Sequence, residues 1–373
     1  MNKAKDLHIV SLNIPYPANY GGIIDIFYKI KCLNKAGYSI HLHTFEYNRK
    51  PAKELEKFCK SVHYYKRKTG LFSFLSSIPY TVYSRRSEAL LQNLLKDNYP
   101  ILFEGLHCCY YLNHPGLTNH KKLVRTHNVE HKYYEAQSTF SRKYPERFYF
   151  LTESRKLKHF EKVLHNADKI LAISPSETRY FSEKYGKTEW LSAFHSSDEV
   201  SSIPGKGKYI LMHGNLMVNE NETAMIYAMK EVLSSINFPV IIAGQNPSLY
   251  LTRIIRNFPR VTFIESPDDE ELNHLIRNAH INLLITFQKT GLKLKLIYAL
   301  FKGRFVVVNP PMINGTGLDE LVYSAKDCKE LIHSINKILD IDFDMSQIEK
   351  RRKLLKAYGN EENTKKLDQI LNS

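Results

Sequence analysis

Gly291, Lys293 and Lys295 stand at the mouth of a predicted helix, and their placement poses the first chemical question. Residues 281–287 form an apolar run short enough to be a buried strand. A polar turn, Gln288-Lys289-Thr290-Gly291, follows it. Leu292, Leu294, Leu296, Ile297, Leu300 and Phe301 then recur at helical spacing, with Gly303 where a C-cap belongs, and residues 305–308 form a β-branched strand. The positive end of a helix dipole disfavours cations, so two lysines in a first turn make sense beside an anion, and a phosphate would supply one. Solvated lysines in one of many strand–helix–strand units are the plainer alternative.

A second constellation lies near the start. Residues 7–12 read as a strand that runs into a loop rich in Pro and Gly, ending at Gly21-Gly22. Ile23, Ile26, Phe27, Ile30 and Leu33 follow at helical spacing, and residues 39–45 form the next strand. Glycines at a helix mouth let backbone amides approach an anion closely, although the spacing is not GxGxxG. Glu104 and His107 lie just past a strand at 101–103, and His127-Asn128-Val129-Glu130-His131 follows a strand at 123–126. Strand ends are where open α/β sheets carry their sites. The His127/His131 spacing is a weak metal signal, because no third ligand is evident.

These groups need a scaffold, and the chain is long enough for one. At 373 residues, 43% hydrophobic and 24% charged, it suits two soluble α/β domains. No apolar run nears the roughly 20 residues of a spanning helix, and the start, interrupted by His8, Ser11 and Asn13, does not read as a signal peptide. Five cysteines, Cys108 and Cys109 adjacent, form no zinc spacing or disulfide framework, which points to a reducing cytoplasm. Residues 1–190 hold 31 Lys and Arg against 17 Asp and Glu, and the remainder 22 against 21, so nearly all of the +15 charge lies in the first half. That bias suits an anionic partner or a solvated basic face. No nucleic-acid motif accompanies it, and nucleic acid is not an expected partner.

Strand–helix alternation predicts an N-terminal domain over 1–191, a Ser/Gly/Pro-rich linker over 192–208 and a C-terminal domain over 209–344. Residues 345–373 form a charged helical segment, with a return to the N-terminal domain as one option. In the C-terminal domain a strand at 209–212 leads to His213-Gly214-Asn215, and another at 240–243 leads to Gly244. Residues 66–86 stand apart, with aromatic and apolar groups between Lys66-Arg67-Lys68 and Arg85-Arg86. They suit contact with an anionic membrane surface, the alternative being a core strand with polar flanks.

Taken in order, these motifs resemble one family, the GT-B-fold glycosyltransferases, specifically the family 4-like or group 1 bacterial sugar transferases. The resemblance covers the chain to about residue 340 and rests on Pro15 to Gly22, His127 to His131, His213-Gly214-Asn215, the turn Ala243 to Pro247, and the block at 291–309. It implies an α/β fold of two Rossmann-like domains whose parallel sheets face each other across a deep cleft. A UDP- or GDP-sugar donor would lie with its nucleotide against the C-terminal domain, and the acceptor against the N-terminal one. The family retains anomeric configuration without a protein nucleophile, requires no cofactor, and has no strict need of a metal. Catalysis is then stabilisation of the departing diphosphate by amides and cations.

The resemblance assigns the diphosphate to the amides of Gly21 and Gly22, the donor sugar to His127, and the leaving group to Lys295, with Lys293 beside it. Gly214, Asn215, Gly244, Thr290, Gly291 and Tyr298 would line the nucleotide, and Glu104 and His107, on their position past a strand end alone, would touch the acceptor. Tyr298 and Thr290 stand where the family usually carries two glutamates, and neither offers a carboxylate. The implied activity is a retaining hexosyltransferase acting on a growing, lipid-linked surface polysaccharide or lipopolysaccharide. Such an enzyme would be cytoplasmic and peripheral at the inner face of the plasma membrane. The alternative is a catalytically degenerate protein of this fold that binds a glycan or a partner.

Overall fold

The computed structural model describes residues 5–141 and 143–373. Its contacts divide the chain into two compact units. One comprises the chain to Asp198 with Thr290–Leu292 and Ala357–Ser373, and the other comprises Glu199–Lys289 and Lys293–Lys356.

The first unit is built on a seven-stranded parallel sheet. Its strands are β1 Lys5–Ser11, β2 Tyr38–Glu46, β3 Ser61–Lys66, β4 Ile101–Glu104, β5 Lys122–Thr126, β6 Lys169–Ala172 and β7 Thr188–Trp190, in the order 3-2-1-4-5-6-7. The order reverses between β1 and β4, and a crevice opens at the carboxyl ends of the strands at such a point. Leu7, Ile9, Ile40 and Leu42 face the helix Gly21–Lys35, which buries Ile23, Ile26, Phe27, Ile30 and Leu33 against them. The C-terminal helix Asn360–Asn372 adds Leu367, Ile370 and Leu371 to the same core. Residues 192–197, which composition marks as linker, are held inside this unit: Asn360 Oδ1 accepts from His195 N at 3.1 Å and Asn363 Oδ1 from Ser192 N at 3.2 Å.

The opposite face of β1–β3 carries imidazoles where apolar groups are usual. His8 lies beside His41, and His43 beside His63, in the strand register. His8 Nε2 is 3.0 Å from Asp97 Oδ1, His8 Nδ1 is 2.8 Å from His43 Nε2, and His43 Nδ1 is 2.8 Å from the Tyr65 hydroxyl. One direction of donation satisfies the whole chain. Tyr65 donates to His43, His43 to His8, and His8 to Asp97, with both rings neutral. Burial lowers the pKa of His8, His43 and His63, in His8 against the opposing pull of Asp97. Unfolded histidines bind protons below 6.5 that the folded layer refuses, so stability falls as pH drops through that value. The slope is up to about 1.4 kcal/mol per pH unit for each histidine. Urea unfolding at about pH 7.5 and about pH 5.5 is expected to show this loss, and His43→Gln to remove one histidine's share of the slope. Equal midpoints at the two pH values would contradict it.

The second unit repeats the plan with six parallel strands. These are β8 Ile210–Asn215, β9 Val240–Gln245, β10 Val261–Glu265, β11 Ile281–Leu284, β12 Phe305–Val308 and β13 Tyr323–Ser324, in the order 10-9-8-11-12-13. Its reversal lies between β8 and β11. Among the described residues no helix is long and apolar enough to cross a membrane.

Residues 66–86 are not a core strand. After β3 they form two short helices, Leu71–Leu75 and Tyr80–Tyr83. Phe74 stacks on Tyr149 of the helix Tyr144–Phe160 with centroids 5.9 Å apart, while Phe72 stays 86% exposed.

Candidate active site

In the first unit the candidate residues gather at the sheet's reversal. Gly21 and Gly22 are the first two residues of the helix Gly21–Lys35, whose N-terminal amides are unsatisfied by the helix itself. A Cβ on Gly21 would meet nothing within 4 Å, so the helix mouth is open to an approaching group. A Cβ on Gly22 would lie 3.8 Å from His127 Nδ1. Gly105, in left-handed conformation at φ +88°, ends β4 so tightly that a Cβ there would lie 3.5 Å from the His127 ring.

Beneath His127 is a buried ion cluster drawn from three elements. Lys29 Nζ lies 2.7 Å from Glu104 Oε1 and 3.3 Å from Asp25 Oδ2, and Arg125 Nε lies 3.0 Å from Asp25 Oδ2. His127 Nε2 is 3.2 Å from Glu104 Oε2, and its Nδ1 is 3.7 Å from Asp25 Oδ2. Both distances allow ion pairing. Burial alone would raise the Asp25 and Glu104 pKa values. The Arg125 and Lys29 charges outweigh it at Asp25, and Lys29 with His127 outweighs it at Glu104, so both carboxyls sit below their ordinary values.

Asp25, Glu104 and His127 offer three ligand atoms within 4.8 Å of one another, the donor set of a metal site. Two fixed cations already neutralise the two carboxylates, which leaves no net negative charge to hold a third. His131, the other half of the HxxxH pair, pairs with Glu161 at 3.2 Å instead.

Glu104 is fully buried. Expected at the acceptor, it lies with Oε1 on Lys29 and Oε2 3.2 Å from His127. His107, expected beside it, lies 3.6 Å from Glu130. Burial, with Arg85 nearby, lowers His107 to about 3, while burial and the Glu177 carboxylate push Glu130 up to about 8. Both shifts favour the uncharged form. Glu177, at the start of the helix Pro175–Tyr185 that Ser174 caps, accepts from Val129 N at 3.3 Å and from Gly291 N at 2.9 Å. Gly291 is left-handed at φ +70°. Thr290 precedes it within the same unit.

The second unit places its candidates at its own reversal. The helix of this region is Leu294–Lys302, so Lys293 is its N-cap residue and Lys295 alone of the two lysines lies in the first turn. Lys295 Nζ donates to Asn221 Oδ1 at 3.3 Å and to the Ile285 carbonyl at 3.4 Å. Burial lowers its pKa, against the pull of Glu220. That carboxylate is engaged, accepting from Thr286 Oγ1 at 2.5 Å and Phe287 N at 2.7 Å. His213, at the end of β8, is lowered to about 3 by burial and by Lys295. Gly214 and Asn215 close the same strand, and Asn221 Nδ2 donates to the Asn215 carbonyl at 3.0 Å. Tyr298 is half-buried against Leu211, Ala243 and Leu275, with Lys302 Nζ 5.1 Å over its ring.

Gly244 has a structural reason to be glycine. It pairs with Gly214 across β8 and β9, and a Cβ would lie 2.5 Å from the Gly214 carbonyl oxygen. Gly244→Ala is expected to cost about 1–3 kcal/mol as overpacking. Gly214→Ala, with Asn221 no nearer than 3.6 Å, should cost less. Thermal melts of the two variants check this, and the reverse ranking would refute it.

The sequence expectations included Gly21, Gly22 and His127 but not Asp25, Lys29 or Arg125. The available signal was Asp25 and Lys29, four apart on the apolar stripe of an amphipathic helix.

No family model matches the sequence. An uncharacterized 44.6 kDa protein in the cps region of Klebsiella pneumoniae is 26% identical over 366 residues, covering 88% of this chain and 89% of that protein. Among solved structures, Anabaena HepE in complex with UDP and glucose is 12% identical with a TM-score of 0.67 over 99% of each chain. TarM is 11% identical with a TM-score of 0.71, over 100% of this chain and 99% of its own. A glycosyltransferase from Rickettsia africae is 13% identical with a TM-score of 0.61, over 100% and 98%. At such identities these likenesses establish a shared fold.

Proposed function

We propose, from the premise that this chain has the GT-B fold of HepE and TarM, that it is a glycosyltransferase. It would move a hexose from a nucleotide sugar, UDP- or GDP-linked, to a surface-polysaccharide acceptor with retention of configuration. The observation that carries the reading is His127, held over a neutralised ion cluster beside the open helix mouth of Gly21 and Gly22. Structures of this fold that hold UDP, glucose or UDP-glucose support the donor class, and the cps-region relative supports the acceptor class.

In this reading the first unit offers the Gly21 and Gly22 amides to a phosphate and His127 to the donor sugar, and the second unit offers the Lys295 cation to a leaving group. The acceptor hydroxyl attacks the anomeric carbon on the face the diphosphate leaves. The glycosidic C–O bond forms as the bond to phosphate breaks, and the hydroxyl proton passes to a phosphate oxygen. The chemistry asks for charge stabilisation, which Lys295 and the amides supply. No metal is assigned a step, because Lys29 and Arg125 balance Asp25 and Glu104. Chelator is accordingly expected to leave the rate unchanged.

Incubation with a panel of UDP- and GDP-sugars, with calorimetry against UDP and GDP, tests the reading. Donor hydrolysis or transfer supports it. Nucleotide binding without turnover favours a degenerate binding protein, and neither binding nor turnover defeats the enzyme reading.

A lipid-linked acceptor would bring the protein to a membrane. Phe72, Leu75, Tyr144 and Phe148 are 86%, 69%, 88% and 68% exposed, on two segments joined by the Phe74–Tyr149 stack and rich in Lys and Arg. Exposed rings among cations suit anionic headgroups. Co-sedimentation with anionic rather than neutral vesicles is expected, and equal recovery with both would remove the membrane part of the proposal.

A further inference from the structure

A groove of about 590 Å³ lies in the first unit, between the loop after β1 and the loop after β2. Tyr16, Pro17 and Asn19 form one wall, and residues 48–54 form the other. Its size falls within the range of small-molecule sites.

The groove is built by specific contacts. Asn48 turns the second loop in left-handed conformation at φ +56° and aims Arg49 back at the first. Arg49 Nη1 donates to the Pro17 carbonyl at 2.6 Å and to that of Ile14 at 3.4 Å, and Nη2 donates to the Asn19 side chain. The guanidinium carbon also lies 5.0 Å from the centroid of the Tyr20 ring. Arg49 therefore spends its donors fastening the two loops together. The loop it fastens is the one that delivers Gly21 and Gly22 to the helix mouth.

Lys50 and Lys53 line the same groove and are free of this work. Both are exposed, and neither makes a hydrogen bond or ion pair recorded among the described residues. Glu54 is the one acid in the lining. Tyr16, Pro17 and Pro51 add apolar groups to the lining. Apolar rings with two unengaged ammonium groups fit a sugar that carries an anion: the ring face lies on the apolar wall and the anion on the lysines.

We infer that this groove binds the acceptor and selects one bearing an anionic group, a carboxylate or a phosphate. The inference rests on the glycosyltransferase reading and adds to it the chemical class of the acceptor. A uronic-acid residue of an acidic glycan and a sugar phosphate present the same charge, so the test carries one probe for each.

Calorimetry at about 0.1 M salt compares the wild type with a Lys50→Glu, Lys53→Glu double variant, moderate ionic strength keeping the comparison clear of long-range attraction. The probes are a glucuronate-containing hyaluronan tetrasaccharide, glucose 1-phosphate, and neutral maltotetraose. At least one acidic probe is expected to bind the wild type about tenfold or more tightly than maltotetraose, and the double variant to lose that margin. Which acidic probe binds identifies the source of the anion. Both lysines are exposed, so an unchanged melting temperature is expected and shows that the variant is folded. Equal binding of acidic and neutral probes, no binding of any probe, or undiminished acidic binding by the variant each overturns the groove assignment. UDP binding, measured alongside, is expected to be equal in both proteins. Its absence from the wild type would overturn the donor reading instead, leaving the acidic-probe comparison to decide the groove separately.

Discussion

Lys29→Met is expected to lower the stability of the protein by about 3–5 kcal/mol near pH 7, the cost of leaving a buried charge without its partner. Lys29 is fully buried on the helix Gly21–Lys35, 2.7 Å from Glu104 and 3.3 Å from Asp25. Arg125 remains in the variant, but it bonds Asp25 and the carbonyls of Leu191 and Ser192, so Glu104 loses its principal cation. In the wild type, Glu104 is held below its ordinary 4.5, chiefly by Lys29 against burial, so its contribution is present above that value and is lost as pH falls through the folded pKa. Without Lys29, burial dominates and the folded pKa rises above the unfolded one. The folded variant then binds a proton that the unfolded chain still refuses, and its stability increases as pH falls toward about 4.5. The stability gap between variant and wild type should narrow from about pH 7 to about pH 5, and taking the gap cancels the histidine layer common to both. Adding Glu104→Gln should recover part of the loss. Urea unfolding of the three proteins measures this, and a gap under about 1 kcal/mol at neutral pH would show that the cluster is not the closed ion network described.

What the sequence disclosed was whatever lies contiguous in the chain. The β-branched run at 305–308 is a strand with those very bounds, and the glycine pair and His127 are recognisable from their neighbours alone. Three strands escaped notice. β7 and β13 are only three and two residues long, and β3 faces the imidazole layer with His63 and Tyr65, so it lacks apolar alternation. The apolar run from 281 was expected to remain strand to 287. It leaves the sheet after Leu284 because Glu220 captures Thr286 and Phe287. Glu104 was assigned to the acceptor because a polar residue ends a strand there, and nothing local reveals the lysine 75 residues earlier that neutralises it. Charges that meet only in the folded molecule leave no periodicity to read. The same holds for 192–197, polar in composition yet buried by two asparagines from the last helix.

His127→Ala and Lys295→Ala are each expected to lower sugar transfer at least about tenfold, equivalent to about 1.4 kcal/mol or more at the barrier. Neither should lower the melting temperature. The two residues belong to different units, and the physical reasons differ. Lys29 and Arg125 keep Glu104 and Asp25 paired when the His127 ring is truncated, so the fold is expected to hold. The truncation does remove a polar ring that lies over the carboxylates of Asp25 and Glu104, where this reading places the donor sugar. Lys295 has two long contacts, to Asn221 and the Ile285 carbonyl, and burial has lowered its pKa. A diphosphate brought to it would raise that pKa, so nucleotide binding at alkaline pH should take up protons, in a fraction that Lys295→Ala abolishes. Calorimetry of UDP binding in two buffers of different ionisation enthalpy reads that uptake directly. Wild-type transfer rates in both variants would remove these residues from the site. Proton uptake that survives in Lys295→Ala would assign the titrating group elsewhere.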